Sequence, residues 1–106
     1  MNLMYFRNET FHNGPNVTIR QGDKWSKLNP NEKIELLETG TSNHMGFGII
    51  KDIMVMPFNE VPDYIFDIKY LPMAQSKSFA LKDLENMYED FDPTKVVTVI
   101  LFDLVL

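Results

Sequence analysis

The stretch Asn13-Gly14-Pro15-Asn16-Val17-Thr18-Ile19-Arg20-Gln21-Gly22-Asp23-Lys24-Trp25 decides how the chain is read. It opens on turn formers that begin at His12, then alternates apolar and polar residues through Val17-Thr18-Ile19-Arg20, the period of a strand with one buried face. Val17 and Ile19 then fill one face while Thr18 and Arg20 project together from the other. Gln21-Gly22-Asp23 breaks the strand and delivers Lys24 and the single tryptophan, Trp25, just beyond its end.

Outward from this point the same signals recur. Leu3 begins an element that the turn formers at 12–16 end. A second turn at Asn29-Pro30-Asn31 introduces Lys33-Ile34-Glu35-Leu36, again with a period of two. After a polar loop over 39–43, residues 47–56 are rich in strand formers, and Gly46 and Gly48 predict a bulge or a close backbone approach. The period then changes. Pro62 opens a short helix marked by Ile65, Ile68 and Leu71 and stopped by Pro72. Ser78 is expected to cap a better helix whose stripe is Leu81, Leu84, Tyr88 and Phe91, ended by Asp92-Pro93. Residues 95–106 are β-branched and apolar enough for a central strand. Strands, one or two helices and a long last strand predict an α+β fold with a small mixed sheet or barrel.

The 106 residues provide for one domain, 1–106, and 44% hydrophobic content is enough to bury a core. The absence of cysteine excludes disulfides and thiolate metal sites. His12 and His44 each stand in turn-like segments without a ligand neighbour at helical or hairpin spacing, so neither a metal nor a cofactor is expected. Gly46-x-Gly48 precedes a strand and so is no phosphate-cradling loop. Without a leader-like start or a long apolar run, the chain is expected to be cytoplasmic and to have no membrane partner. The methionines, among them Met45, Met54, Met56, Met73 and Met87, are read as adaptable core filling.

The net charge of −5 disfavours sequence-blind nucleic-acid binding, but it is unevenly spread. Residues 1–33 hold five bases against three acids, a net +2, which leaves −7 for the rest. The basic third contains Thr18, Arg20, Lys24 and Trp25: a guanidinium fork, a hydroxyl, an ammonium and a large ring, which together suit an anion joined to a planar ring. The alternative is that Trp25 packs as core, Arg20 pairs with a carboxylate and Lys24 is solvated.

In order and length of elements the whole chain resembles the ASCH group of PUA-like domains. That family's pattern is a Gly, a Lys two residues on, a Glu or Thr three further, and an Arg two beyond. Thr18 and Arg20 match it; Pro15 stands at the Lys position and Asn13 at the Gly position, with Gly14 one residue out of register. The resemblance implies a barrel of five or six strands with packed helices. It also implies that a cleft beside the Thr18-x-Arg20 strand holds RNA or a nucleoside-like ligand. Arg20 would clamp it, with Thr18 and Lys24 orienting it and Trp25 stacking on it. In that role Arg20→Ala is expected to remove binding and leave the fold stable.

Two other readings stand beside this one. Among similar proteins, the bacterial acetylcytidine amidohydrolases use a Lys, a Thr and a Glu; Thr18 carries over as nucleophile. Lys24 or Lys77, with Asp83, would have to replace the other two, because Gln75-Ser76-Lys77-Ser78-Phe79 has no carboxylate where the Glu belongs. The third reading is an interaction or inhibitor protein, of the small acidic kind known from viruses. It would dock a helix over 83–92, bearing Asp83, Glu85, Glu89, Asp90 and Asp92, on a basic partner surface.

Overall fold

The computed structural model describes residues 2–6, 11, 14–67 and 77–105. Expectations that fall on His12, Asn13, Ile68, Leu71, Pro72, Met73, Gln75, Ser76 and Leu106 lie outside them. Five strands, β1 (Asn2–Phe6), β2 (Pro15–Gln21), β3 (Lys33–Glu38), β4 (His44–Pro57) and β5 (Val96–Val105), form one sheet in the order β1-β3-β4-β5-β2. β1 runs parallel to β3, and every other pairing is antiparallel. The expected α+β fold with a small mixed sheet is thus the observed one, and the sheet curls into a half-barrel.

Alternation along β5 explains why this strand is central. Val97, Val99 and Leu101 face one hydrophobic cluster, while Ile100, Phe102 and Leu104 face a second. The first cluster lies between the sheet and the helices, and the second fills the curl of the sheet. Each fully buried Ile, Val or Phe at these positions contributes about 1.5–3 kcal/mol.

The curl is built into β4. Its register slips twice, with Met45 unopposed beside Leu36 and Leu37, and Lys51 unopposed between Ile50 and Asp52. Each such bulge bends the strand and increases its twist. The Lys51 bulge also resets the alternation, so that Ile50 and Ile53, three residues apart, both join the inner cluster. The expected close approach is at Gly48, where an added Cβ would lie 2.9 Å from Phe102 Cδ2 and 3.4 Å from Ile34 Cγ1.

The helices cover the outer face. α1 spans Tyr64–Asp67 and buries Ile65 and Phe66, and α2 spans Lys77–Met87 and buries Ala80 and Leu84 at i and i+4. α2 already includes Lys77, so Ser78 lies in its first turn and does not cap it. The Lys77 ammonium donates to the carbonyls of Asn59 (3.2 Å) and Val61 (2.8 Å), which ties the start of α2 to the 3₁₀ turn Phe58–Glu60. The expected apolar stripe does pack as core, but α2 ends at Met87, before Phe91. The chain turns at Glu89-Asp90, and Phe91 reaches the core by stacking edge-on against Phe58, with ring centroids 5.8 Å apart. Asp92 then accepts the Thr94 amide N–H (2.8 Å) and hydroxyl, a local turn that leads into β5.

Candidate functional site

β1 and β2 are the two ends of the strand order, and the half-barrel brings them to face each other across a seam. A side chain bridges them. Arg20 of β2 donates through Nη2 to the Tyr5 carbonyl of β1 at 2.8 Å, and its guanidinium carbon lies 4.6 Å from the centre of the Phe6 ring. Arg20 Nε donates to Thr18 Oγ1 at 3.0 Å. Alternation puts Thr18 and Arg20 on one face as expected, but at different depths. Thr18 pairs with Ile100 in the inner core and is 6% exposed, whereas Arg20 pairs with Thr98 nearer the strand end and is half-buried. Thr18 therefore sits beneath Arg20 and fixes its orientation.

The turn after β2 is held as firmly. Gly22 adopts φ +82°, a left-handed conformation that glycine accepts without strain. Its N–H donates to the Val96 carbonyl at 2.8 Å, and its own carbonyl accepts the buried Thr98 hydroxyl at 2.7 Å. A 3₁₀ turn over Lys24–Lys27 follows, closed by the Ser26 N–H on the Asp23 carbonyl and anchored by buried Leu28. Trp25 is half-buried against the inner core, and the Lys24 ammonium lies 5.4 Å from the centre of its ring.

Seam and turn together frame a cleft of about 510 Å³, within the usual range for small-molecule sites. Arg20, Gln21, Gly22, Lys24 and Trp25 line it from β2 and the turn. Tyr5 joins them from β1 and Tyr88 from just past the end of α2. Among the described residues no carboxylate lines it. Three of the four residues singled out in the sequence, Arg20, Lys24 and Trp25, thus share one concavity, and Thr18 supports it from below. Tyr5 and Tyr88 carry no local signal of a site; fold topology alone delivers them.

Of the groups that a hydrolase would need, Lys24 alone lines the cleft. Thr18 is covered by Arg20, Lys77 is engaged with the carbonyls of Asn59 and Val61, and Asp83 does not line the cleft. The acidic residues do not form one helical face either. Asp83 and Glu85 lie on α2, Glu89 and Asp90 in the turn after it, and Asp92 is bound to Thr94. That hydrogen bonding by the Thr94 hydroxyl and amide holds the Asp92 carboxyl below its ordinary range, and the Asn2 amide, then the Asn29 N–H, do the same for Glu32. His44 Nδ1 lies 2.9 Å from Glu35 Oε2, with its ring against Phe47. Among the described residues no three His, Asp or Glu side chains converge on a metal-sized site, and no helix is long and apolar enough to cross a membrane.

No family model matches the chain, and no curated protein matches it. Solved structures do. The ASCH domain from Lactobacillus crispatus JV V101 superposes with a TM-score of 0.61 at 12% identity, over 83% of this chain and 62% of that one. Protein EF3133 from Enterococcus faecalis V583, of family DUF984, gives 0.53 at 18% identity, over 84% and 62%. Hypothetical protein PH0355 gives 0.63 at 15% identity and is covered end to end, 97% of each chain. The chain spans under two thirds of the length of the first two structures. At these identities the likeness is one of fold: the curled sheet and its helices resemble those of the ASCH-domain structure.

Proposed function

We propose that this ASCH-type half-barrel is a binding module that takes RNA or a nucleotide-like ligand in the cleft at the β1–β2 seam. The observation that carries the proposal is the cleft itself. Two cations and three aromatic residues converge there in a protein of net charge −5, and no carboxylate among the described residues lines it. A cationic patch in an acidic protein serves an anion, and aromatic walls serve a planar ring; a nucleotide joins the two. Arg20 lines the cleft and is already held by Thr18 and the Tyr5 carbonyl, so little further ordering of its side chain is needed. Lys24 is exposed and supplies a mobile point charge. Trp25 stacking on a base is worth about 1–3 kcal/mol.

The test uses Trp25 as its own reporter, since the chain has no other tryptophan. Titrating cytidine 5′-monophosphate or short single-stranded RNA should quench its emission saturably. Lys24→Ala should weaken binding about tenfold, as expected for loss of one charge-assisted contact of about 1.5 kcal/mol. No saturable response at millimolar ligand, or an affinity indifferent to Lys24→Ala, would remove the proposal.

A further inference from the structure

The surroundings of the cleft narrow what it can accept. Asp23 stands between Gly22 and Lys24, and Glu89 and Asp90 directly follow Tyr88; all three are exposed. Consecutive Cα atoms are ~3.8 Å apart, so each of these exposed acids lies within two residues of a lining residue, close to the cleft without lining it. Exposed Glu85 lies three residues before Tyr88, whose N–H still donates to the Leu84 carbonyl, so helical spacing places Glu85 beside Tyr88 on the surface. Within one turn of the lining residues, the described cations are Arg20, Lys24 and Lys27, against four carboxylates. Among the described residues, the lining is cationic and its neighbours along the chain are mainly acidic.

Resting on the binding role proposed above, we infer that the site selects a ligand with a single phosphate, a free nucleoside monophosphate, and rejects an internal segment of a polynucleotide. One phosphate can sit between Arg20 and Lys24 with its base against Trp25. The next phosphates of a continuing strand fall within a Debye length, about 8–10 Å, of Asp23, Glu89 and Asp90, and are repelled. A site that tracks a polynucleotide carries a continuous basic groove instead. The acidic residues thus have a use that is neither general solubility nor protein docking: they set the length of nucleic acid the cleft admits.

Trp25 fluorescence and calorimetry with cytidine, cytidine 5′-monophosphate and an eight-nucleotide single-stranded RNA, each across a series of salt concentrations, test this. The monophosphate should bind at least ~10-fold more tightly than either cytidine or the RNA. Its log affinity should fall with log salt far less steeply than that of a polynucleotide making several phosphate contacts, because a free monophosphate carries no condensed counterion atmosphere to release. Glu89→Lys combined with Asp90→Lys, both in an exposed turn, should strengthen RNA binding about tenfold and change monophosphate binding less than about twofold. RNA bound more tightly than the monophosphate, with a slope several times steeper, overturns the single-phosphate inference and leaves the binding role intact. Cytidine bound as tightly as its monophosphate likewise overturns it. Binding of none of the three overturns both.

Discussion

Replacing Arg20 tests the closure of the half-barrel before it tests any ligand. As a clamp that only touches ligand, Arg20 could be removed without cost to the fold. In the structure it spans the seam between two strands that share no backbone pairing, so removal should be felt by the whole domain. Its bond to the Tyr5 carbonyl is made by a charged donor, a class worth about 1.5–3 kcal/mol, although exposure of this one puts it at the lower end. The Nε bond to buried Thr18 adds about 1 kcal/mol, and the guanidinium over Phe6 about 0.5–1 kcal/mol. These terms are not additive, and about 2–4 kcal/mol is expected for Arg20→Ala, a large share of the roughly 5–15 kcal/mol typical of a domain. At about 4–8 °C per kcal/mol for a chain near 100 residues, the melting temperature should fall by about 8–32 °C. Arg20→Lys can reach Thr18 or Tyr5 but not both, and should lose about half as much. Urea unfolding followed by far-UV circular dichroism measures this, with an unchanged denaturant slope showing that the native state stays compact. An Arg20→Ala protein within about 0.5 kcal/mol of the parent would refute the bridging role. Ligand affinities of Arg20 variants accordingly need to be measured on protein shown to be folded.

Other consequences are more local. Gly48→Ala places a Cβ 2.9 Å from the ring of Phe102 and 3.4 Å from Ile34, both fully buried, and should cost about 1–3 kcal/mol; a loss under about 0.5 kcal/mol would mean that β4 is free to move outward. Lys77→Met should cost about 1–3 kcal/mol, because it removes a charged donor shared by the Asn59 and Val61 carbonyls; stability unchanged in urea would show that α2 does not depend on that tether. Asp92 and Glu32 have carboxyls held below their ordinary range, so each favours the folded state above its unfolded pKa and loses that contribution as pH falls through the lower folded value. The urea midpoint should then decline below about pH 4, and less steeply in Asp92→Asn, whereas identical acid profiles for the two proteins would contradict the assignment.

What could be read from the sequence was whatever burial imposes along a single element. Val17 and Ile19 against Thr18 and Arg20, and Val97, Val99 and Leu101 against Ile100 and Phe102, alternate because each strand has a distinct environment on its two faces. Gly48 was legible for a related reason: only a residue without Cβ fits against Phe102. The end of α2 was not, because Phe91 keeps helical spacing from Leu84 and Tyr88 yet reaches the same core through a turn. The seam was not legible either. Strand order puts β1 and β2 at opposite edges, and no local pattern says that the edges will meet or that Tyr5 will offer Arg20 its carbonyl. Cross-strand register decides that Thr18 lies beneath Arg20 and is covered by it. For the same reason the basic cluster could be recognised as a group, while its partners Tyr5 and Tyr88 could not.

Amide and indole NMR shifts of the folded, isotope-labelled protein during titration with cytidine 5′-monophosphate test the central claim, that the seam cleft is the ligand site. The Gly22 and Lys24 amides and the Trp25 indole N–H should move together along one saturable curve, with the α1 and β3 signals still. Shifts confined to another surface, or none at millimolar ligand, would contradict it.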